Sequence, residues 1–170
     1  GKIITPEQND RSGVDYFVTT ASTGRTMRTV VVGLVPDVSI ASARRALAGT
    51  YVEIVEALTL EDGRSVEQQI NAIVGSRPDL IFITGGMEGG AEEPVLRQAK
   101  AVQQALRLIK GGRKPALLYA GNSVLAPQMR DLFGTLATMF VAPNVRPSLD
   151  EEELEGAQAQ LALVYNDQQA

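Results

Sequence analysis

Neither cysteine nor histidine occurs in the 170 residues. Those two absences together remove disulfides, thiolate nucleophiles, histidine-ligated zinc and histidine general bases. Carboxylates, lysine, tyrosine, serine and threonine are what remains for chemistry. Positive charge is also scarce: the net charge is −4, with acids spread through the chain. There is no basic stripe for nucleic acid and no polybasic anchor for anionic lipid, so neither is an expected partner. No run approaches the ~20 apolar residues of a membrane span and no signal-peptide pattern opens the chain, which sets a cytoplasmic location as the expectation. The chain opens at Gly1-Lys2 and not at Met, as expected of a segment of something longer.

What is present is a globular composition, 44% hydrophobic and 21% charged. The length suits one well-filled core and is short for two, so one domain is expected. Residues 1–13 are polar and broken by Pro6 and Gly13, reading as an arm before a strand in "DYFVTTAS". From Thr29 the pattern becomes regular. "TVVVGLV" is a β-branched run without alternation, as in a strand covered on both faces. "SIASARRALAGT" has helical spacing, with Ser39 as N-cap and Gly49 as stop. "YVEIVEALT" alternates and reads as a strand nearer an edge. Ser65 and Gln68 stand at capping-box spacing before a helix stopped by Gly75 and Pro78. "DLIFITGG" is again an apolar strand. A helix follows with Pro94 in its first turn, Val95, Ala99, Val102, Leu106 and Ile109 on one stripe, and Gly111 at its end. "PALLYAGN", "SVLAPQMRDLFG" and "LATMFVAPN" complete the alternation. Ser148 and Glu151 then repeat the capping-box spacing ahead of an amphipathic helix carrying Leu154, Ala157, Leu161, Val164 and Tyr165.

About five strand–helix alternations at this spacing predict a three-layer α/β/α fold. The sheet is expected to be mostly parallel, in the flavodoxin-like order 2-1-3-4-5, with an extra N-terminal strand. The expected organisation is an arm over 1–13, an α/β domain over 14–147, and a C-terminal helical segment over 148–170 that packs on the domain or faces missing neighbours.

In open α/β sheets ligands bind beyond the carboxyl ends of the strands. Four segments qualify here: 33–39, 84–90, 121–123 and 143–146. The second holds Gly85, Gly86, Glu88, Gly89 and Gly90, a glycine-rich corner that could expose amides to an anion or could simply turn the chain. It has neither the GxGxxG spacing nor the Lys-Ser/Thr of a P-loop. Glu88, Glu92 and Glu93 would compete with phosphate, and Arg97 is a full turn further on. Asn122 and Asp37 are further ligand candidates, Asn122 equally readable as an N-cap and Asp37 as a turn residue. Catalysis by a pair among Glu88, Asp37 and Glu92 is not expected, and no metal ligands are assigned.

Four segments in order, "VTTASTGRTMRTVVVGLVPDVSIASARRAL", "RPDLIFITGGMEGGAEEPVL", "LLYAGN" and "APNVRPSLD", resemble the MutL-type glutamate mutase activator family, which is unrelated to mismatch repair. The resemblance runs from about Ile4 to Tyr165. It implies an internal segment of an actin-like ATPase protein that reactivates adenosylcobalamin-dependent mutases as a chaperone does. The family's phosphate motifs would then lie before Gly1 and after Ala170, so ATP and Mg are implied for the longer parent and no cofactor is expected in this segment. The family pattern near the corner is similar to GGTDGG, and Met87 and Glu88 replace its Thr and Asp. The expected partners are the rest of the parent chain and an adenosylcobalamin-dependent mutase. The alternative is a small-molecule or nucleotide-related binding module with a Rossmann-like crevice; a cobalamin domain that supplies histidine to cobalt is excluded by composition.

Overall fold

A computed structural model of the chain describes residues 24–170. The expected arm over 1–13 and the N-terminal strand lie outside the described residues. Five strands form one sheet: β1 (Met27–Val32), β2 (Val52–Leu58), β3 (Leu80–Ile83), β4 (Ala116–Tyr119) and β5 (Met139–Val141). Their order is β2-β1-β3-β4-β5 and every pairing is parallel, as the alternation predicts.

The unbroken apolar runs follow from helices on both faces. Val30, Val32, Ile81, Ile83, Leu117 and Tyr119 point one way. There they pack against α2 (Val66–Ser76), α3 (Glu93–Leu108) and α4 (Ala126–Phe133). Their neighbours Val31, Leu80, Phe82 and Leu118 point the other way, onto α1 (Ala41–Leu47) and α5 (Glu155–Gln169). Period-two alternation places successive residues in separate cores, so both faces must be apolar. The edge strand β2 is largely half-buried, which accounts for its mixed composition. Its register slips between Thr29 and Val30, where a bulge leaves Val55 without a partner on β1.

Helix ends conform in part. Ser65 and Gln68 form the expected capping box on α2. That helix runs through Gly75, however, and the left-handed stop is Arg77 at φ 47°. The guanidinium of Arg28 caps the same end by donating to Ser76 O. Ser39 does not cap α1: a single wide turn over Pro36–Ile40 precedes that helix, and the Ser39 hydroxyl reaches back to accept from the amides of Leu34 and Val35. The Ser148–Glu151 pair is present, yet α5 starts only at Glu155, where Glu153 accepts from the Gly156 amide. Ala157, Leu161 and Val164 then bury against the sheet, so the C-terminal helix is a working part of the second layer. Among the described residues no helix is long and apolar enough to cross a membrane.

Candidate functional site

Every strand in a parallel sheet of this order delivers its following loop to one edge, and the order reverses between β1 and β3. The four flagged segments meet there. Backbone geometry requires glycine at the centre. Gly85 and Gly86 have φ of 116° and 76°, and a Cβ on Gly86 would lie 2.8 Å from Ala91 O.

The second half of the corner is tied down. Asn122, which is 0% exposed, accepts from the amides of Gly89 and Val124 at 3.2 Å each and donates to Gly90 O at 3.4 Å. Its own amide donates to Gly85 O, and its carbonyl accepts from the Tyr119 hydroxyl at 2.6 Å. Asn122 is thus both the cap of the turn Ser123–Leu125 and the hub that holds the glycine loop. Asn144 donates to Gly86 O at 2.8 Å and to Glu88 Oε1 at 2.9 Å. The Glu88 carboxylate also accepts from the Ser123 amide at 2.9 Å and from the Ser123 hydroxyl. The Glu88 amide donates to Pro147 O, and that of Gly90 to Met87 O.

Electrostatics follow these contacts. Burial disfavours the Glu88 charge, but the bonds from the Ser123 hydroxyl and amide and from Asn144 outweigh it and hold the carboxyl below its ordinary pKa. Burial, with the Glu88 charge as a second cause, pushes the Tyr119 hydroxyl well up, so it stays a neutral donor. Glu88 is therefore a latch across the loops after β3, β4 and β5.

The first half of the corner faces a different space. A crevice of ≈ 200 Å³ opens between the loops after β1 and β3. Leu34, Val35, Val38, Met87 and Leu149 give it apolar walls, and Ser39 and Arg146 supply the polar ones. Asn144 and Arg146 fall within the flagged segment 143–146, but neither is named there as a ligand residue. They follow a short strand with no periodic signal around them, and the only available hint was an Asn and an Arg just beyond a strand's carboxyl end. Asp37 is exposed and takes no part in the corner's bonds, and Gly90 contributes its amide and carbonyl only within the latch. Arg97 pairs with Glu93 on the surface of α3, away from the crevice lining.

Larger hollows of ≈ 560 and ≈ 590 Å³ lie at the other end of the sheet, beside Lys114, Arg130, Arg77 and Lys110. Cations there complement helix C-termini, and Lys114 donates to Leu106 O and Ile109 O at the end of α3. That role accounts for them without a ligand. Among the described residues no group of three acidic side chains is gathered as a metal site would need.

Comparison with known proteins matches residues 2–170 to the family described as MutL protein. Protein MutL of Clostridium tetanomorphum is 24% identical over 140 residues, which make up 82% of this chain. The chain spans 28% of that relative's length. A cysteine-to-serine mutant of flavodoxin from Pseudomonas aeruginosa is 16% identical, with a TM-score of 0.43 over 84% of this chain and 97% of that one.

Proposed function

This chain belongs to the MutL protein family, and on that premise we propose that it is a non-catalytic α/β domain of a longer protein that reactivates adenosylcobalamin-dependent mutases. In this reading the chaperone-like cycle draws on ATP and Mg bound outside these residues, and the domain supplies a rigid body that other parts of the protein, or the mutase, engage. The order of the four resembling segments supports the family role. One observation carries the non-catalytic part: the amides of Glu88, Gly89 and Gly90 are all spent on protein acceptors. A phosphate cradle needs such amides free and converging. An acid is fixed in the same loop, and a crevice of ≈ 200 Å³ lies below the ~300–1,000 Å³ of ordinary ligand pockets. Phosphoryl transfer also requires a held metal and a positioned water, for which this corner offers no evident groups.

The test is deletion of this domain from a full-length family protein. ATP hydrolysis should persist while restoration of an inactivated adenosylcobalamin-dependent mutase is lost. The reading is overturned if hydrolysis disappears with the domain, or if the chain by itself binds Mg-ATP saturably at micromolar concentration in a calorimetric titration.

A further inference from the structure

The crevice between the β1 and β3 loops has features that a role as a passive scaffold does not explain. Among the described residues the amides of Gly86 and Met87 donate to no protein group, unlike the three that follow them. Arg146, 23% exposed at its side chain, lines the same space. Its Nε is shielded from solvent and has no hydrogen-bond partner, a state that buried polar groups rarely keep without a reason. Its Nη2 donates to Leu149 O at 2.6 Å, and its Nη1 lies 3.6 Å from Glu152.

The Glu152 carboxylate does not neutralise Arg146 alone. Arg45 donates to it at 2.5 and 2.8 Å, and the Ser42 hydroxyl donates at 2.7 Å. Two guanidiniums thus share the Glu152 carboxylate. The acid that would repel an anion, Glu88, is held across the loop by Ser123 and Asn144 and is not part of the crevice wall. Of the three acids that the sequence sets against an anion here, the fold turns the Glu88 carboxylate aside, and Glu92 and Glu93 stand at the start of α3 outside the crevice lining.

We propose that this crevice binds a small monoanion, a carboxylate carried on a short aliphatic group. Arg146 and the free amides of Gly86 and Met87 would take the carboxylate, and Leu34, Val35, Val38, Met87 and Leu149 the hydrocarbon. A volume of ≈ 200 Å³ equals that of about seven waters at ~30 Å³ each, which suits a handful of carbon atoms and excludes a nucleotide. The guanidinium selects a planar anion, and the walls select against a hydrated one such as inorganic phosphate.

Amide resonances of the unaltered chain, titrated with butyrate, butyramide and inorganic phosphate, provide the test. Saturable shifts at Gly86, Met87 and Arg146 are expected with butyrate, with butyramide about ten- to a hundredfold weaker. Arg146→Met should lower butyrate affinity by a similar factor. Because the butyrate–butyramide comparison needs no variant, it stands even if Arg146→Met fails to fold. The proposal is overturned if butyrate gives no saturable shift, if butyramide binds equally well, or if phosphate binds and butyrate does not.

Discussion

The two halves of the glycine-rich corner are built from nearly the same residues and do opposite things. Gly85, Gly86 and Met87 face the β1 loop and leave all three amides without an acceptor among the described residues. Glu88, Gly89 and Gly90 face the β4 and β5 loops and spend all three on protein acceptors. The difference does not come from the glycines. It comes from what stands opposite the amides: Pro147 O and the buried Asn122 Oδ1 accept from Glu88 and Gly89, whereas the side chains of Leu34, Val35 and Val38 offer Gly86 and Met87 no acceptor. A glycine cluster is thus a permissive backbone whose role is assigned by its neighbours.

The largest expected effect tests whether the first half is held by backbone geometry. Gly86 sits at φ 76° with Ala91 O and Asn122 Cβ 2.8 and 3.2 Å from where a Cβ would stand; Gly89, at φ 67°, has nothing within 4 Å. Gly86→Val should destabilise by about 2 to 4 kcal/mol, combining left-handed strain with a clash against backbone. Gly89→Ala carries only the conformational term, about 1 kcal/mol. Urea denaturation of both variants checks this, and equal losses would erase the distinction between the halves.

A middle-sized effect belongs to the latch. Glu88 has a folded pKa below its ordinary value of 4.5. Its contribution to stability is therefore fully present above about pH 4.5 and lost as the pH falls through the lowered folded value. The residue is largely exposed, so solvent screening limits the contribution to about 0.5 to 1 kcal/mol. Glu88→Gln should lose that amount at neutral pH, and its stability should decline less than the parent's as the pH falls from about 5. Parallel melts across that range decide it; two curves of the same slope would mean that the latch is held by its neutral bonds alone.

Most of the architecture was legible because it rests on burial. Unbroken apolar runs in β1, β3 and β4 and the mixed composition of β2 fixed which strands are central and which lies at an edge, and the strand order followed from connection rules. The site was legible only as a location. The meeting of four loops is a consequence of topology, but the bond from Asn144 to Glu88 joins residues 56 positions apart, and no local pattern announces it. Ser39 misled for a related reason. A serine before a helical run reads as a cap, yet the wide turn over Pro36–Ile40 moves the helix start beyond it and leaves its hydroxyl to the β1 loop. Capping geometry depends on a single residue's backbone, which sequence periodicity does not resolve.

The smallest effect is expected at Met87, which marks the boundary between the halves. Its side chain lines the crevice and the residue is 42% exposed, so little of its apolar surface is withdrawn from water. Its carbonyl accepts from the Gly90 amide, an interaction of the backbone that any side chain would preserve. Met87→Ala should therefore change stability by less than about 0.5 kcal/mol, the ordinary range for exposed positions outside special features. The same change removes one wall of the crevice, and affinity for an aliphatic carboxylate should fall by a few-fold through lost apolar contact. Melting and butyrate titration of one variant thus give two readouts that ought to separate. A large loss of stability would show that the crevice side of the corner is structural like the latch, and that the free amides are incidental to its packing.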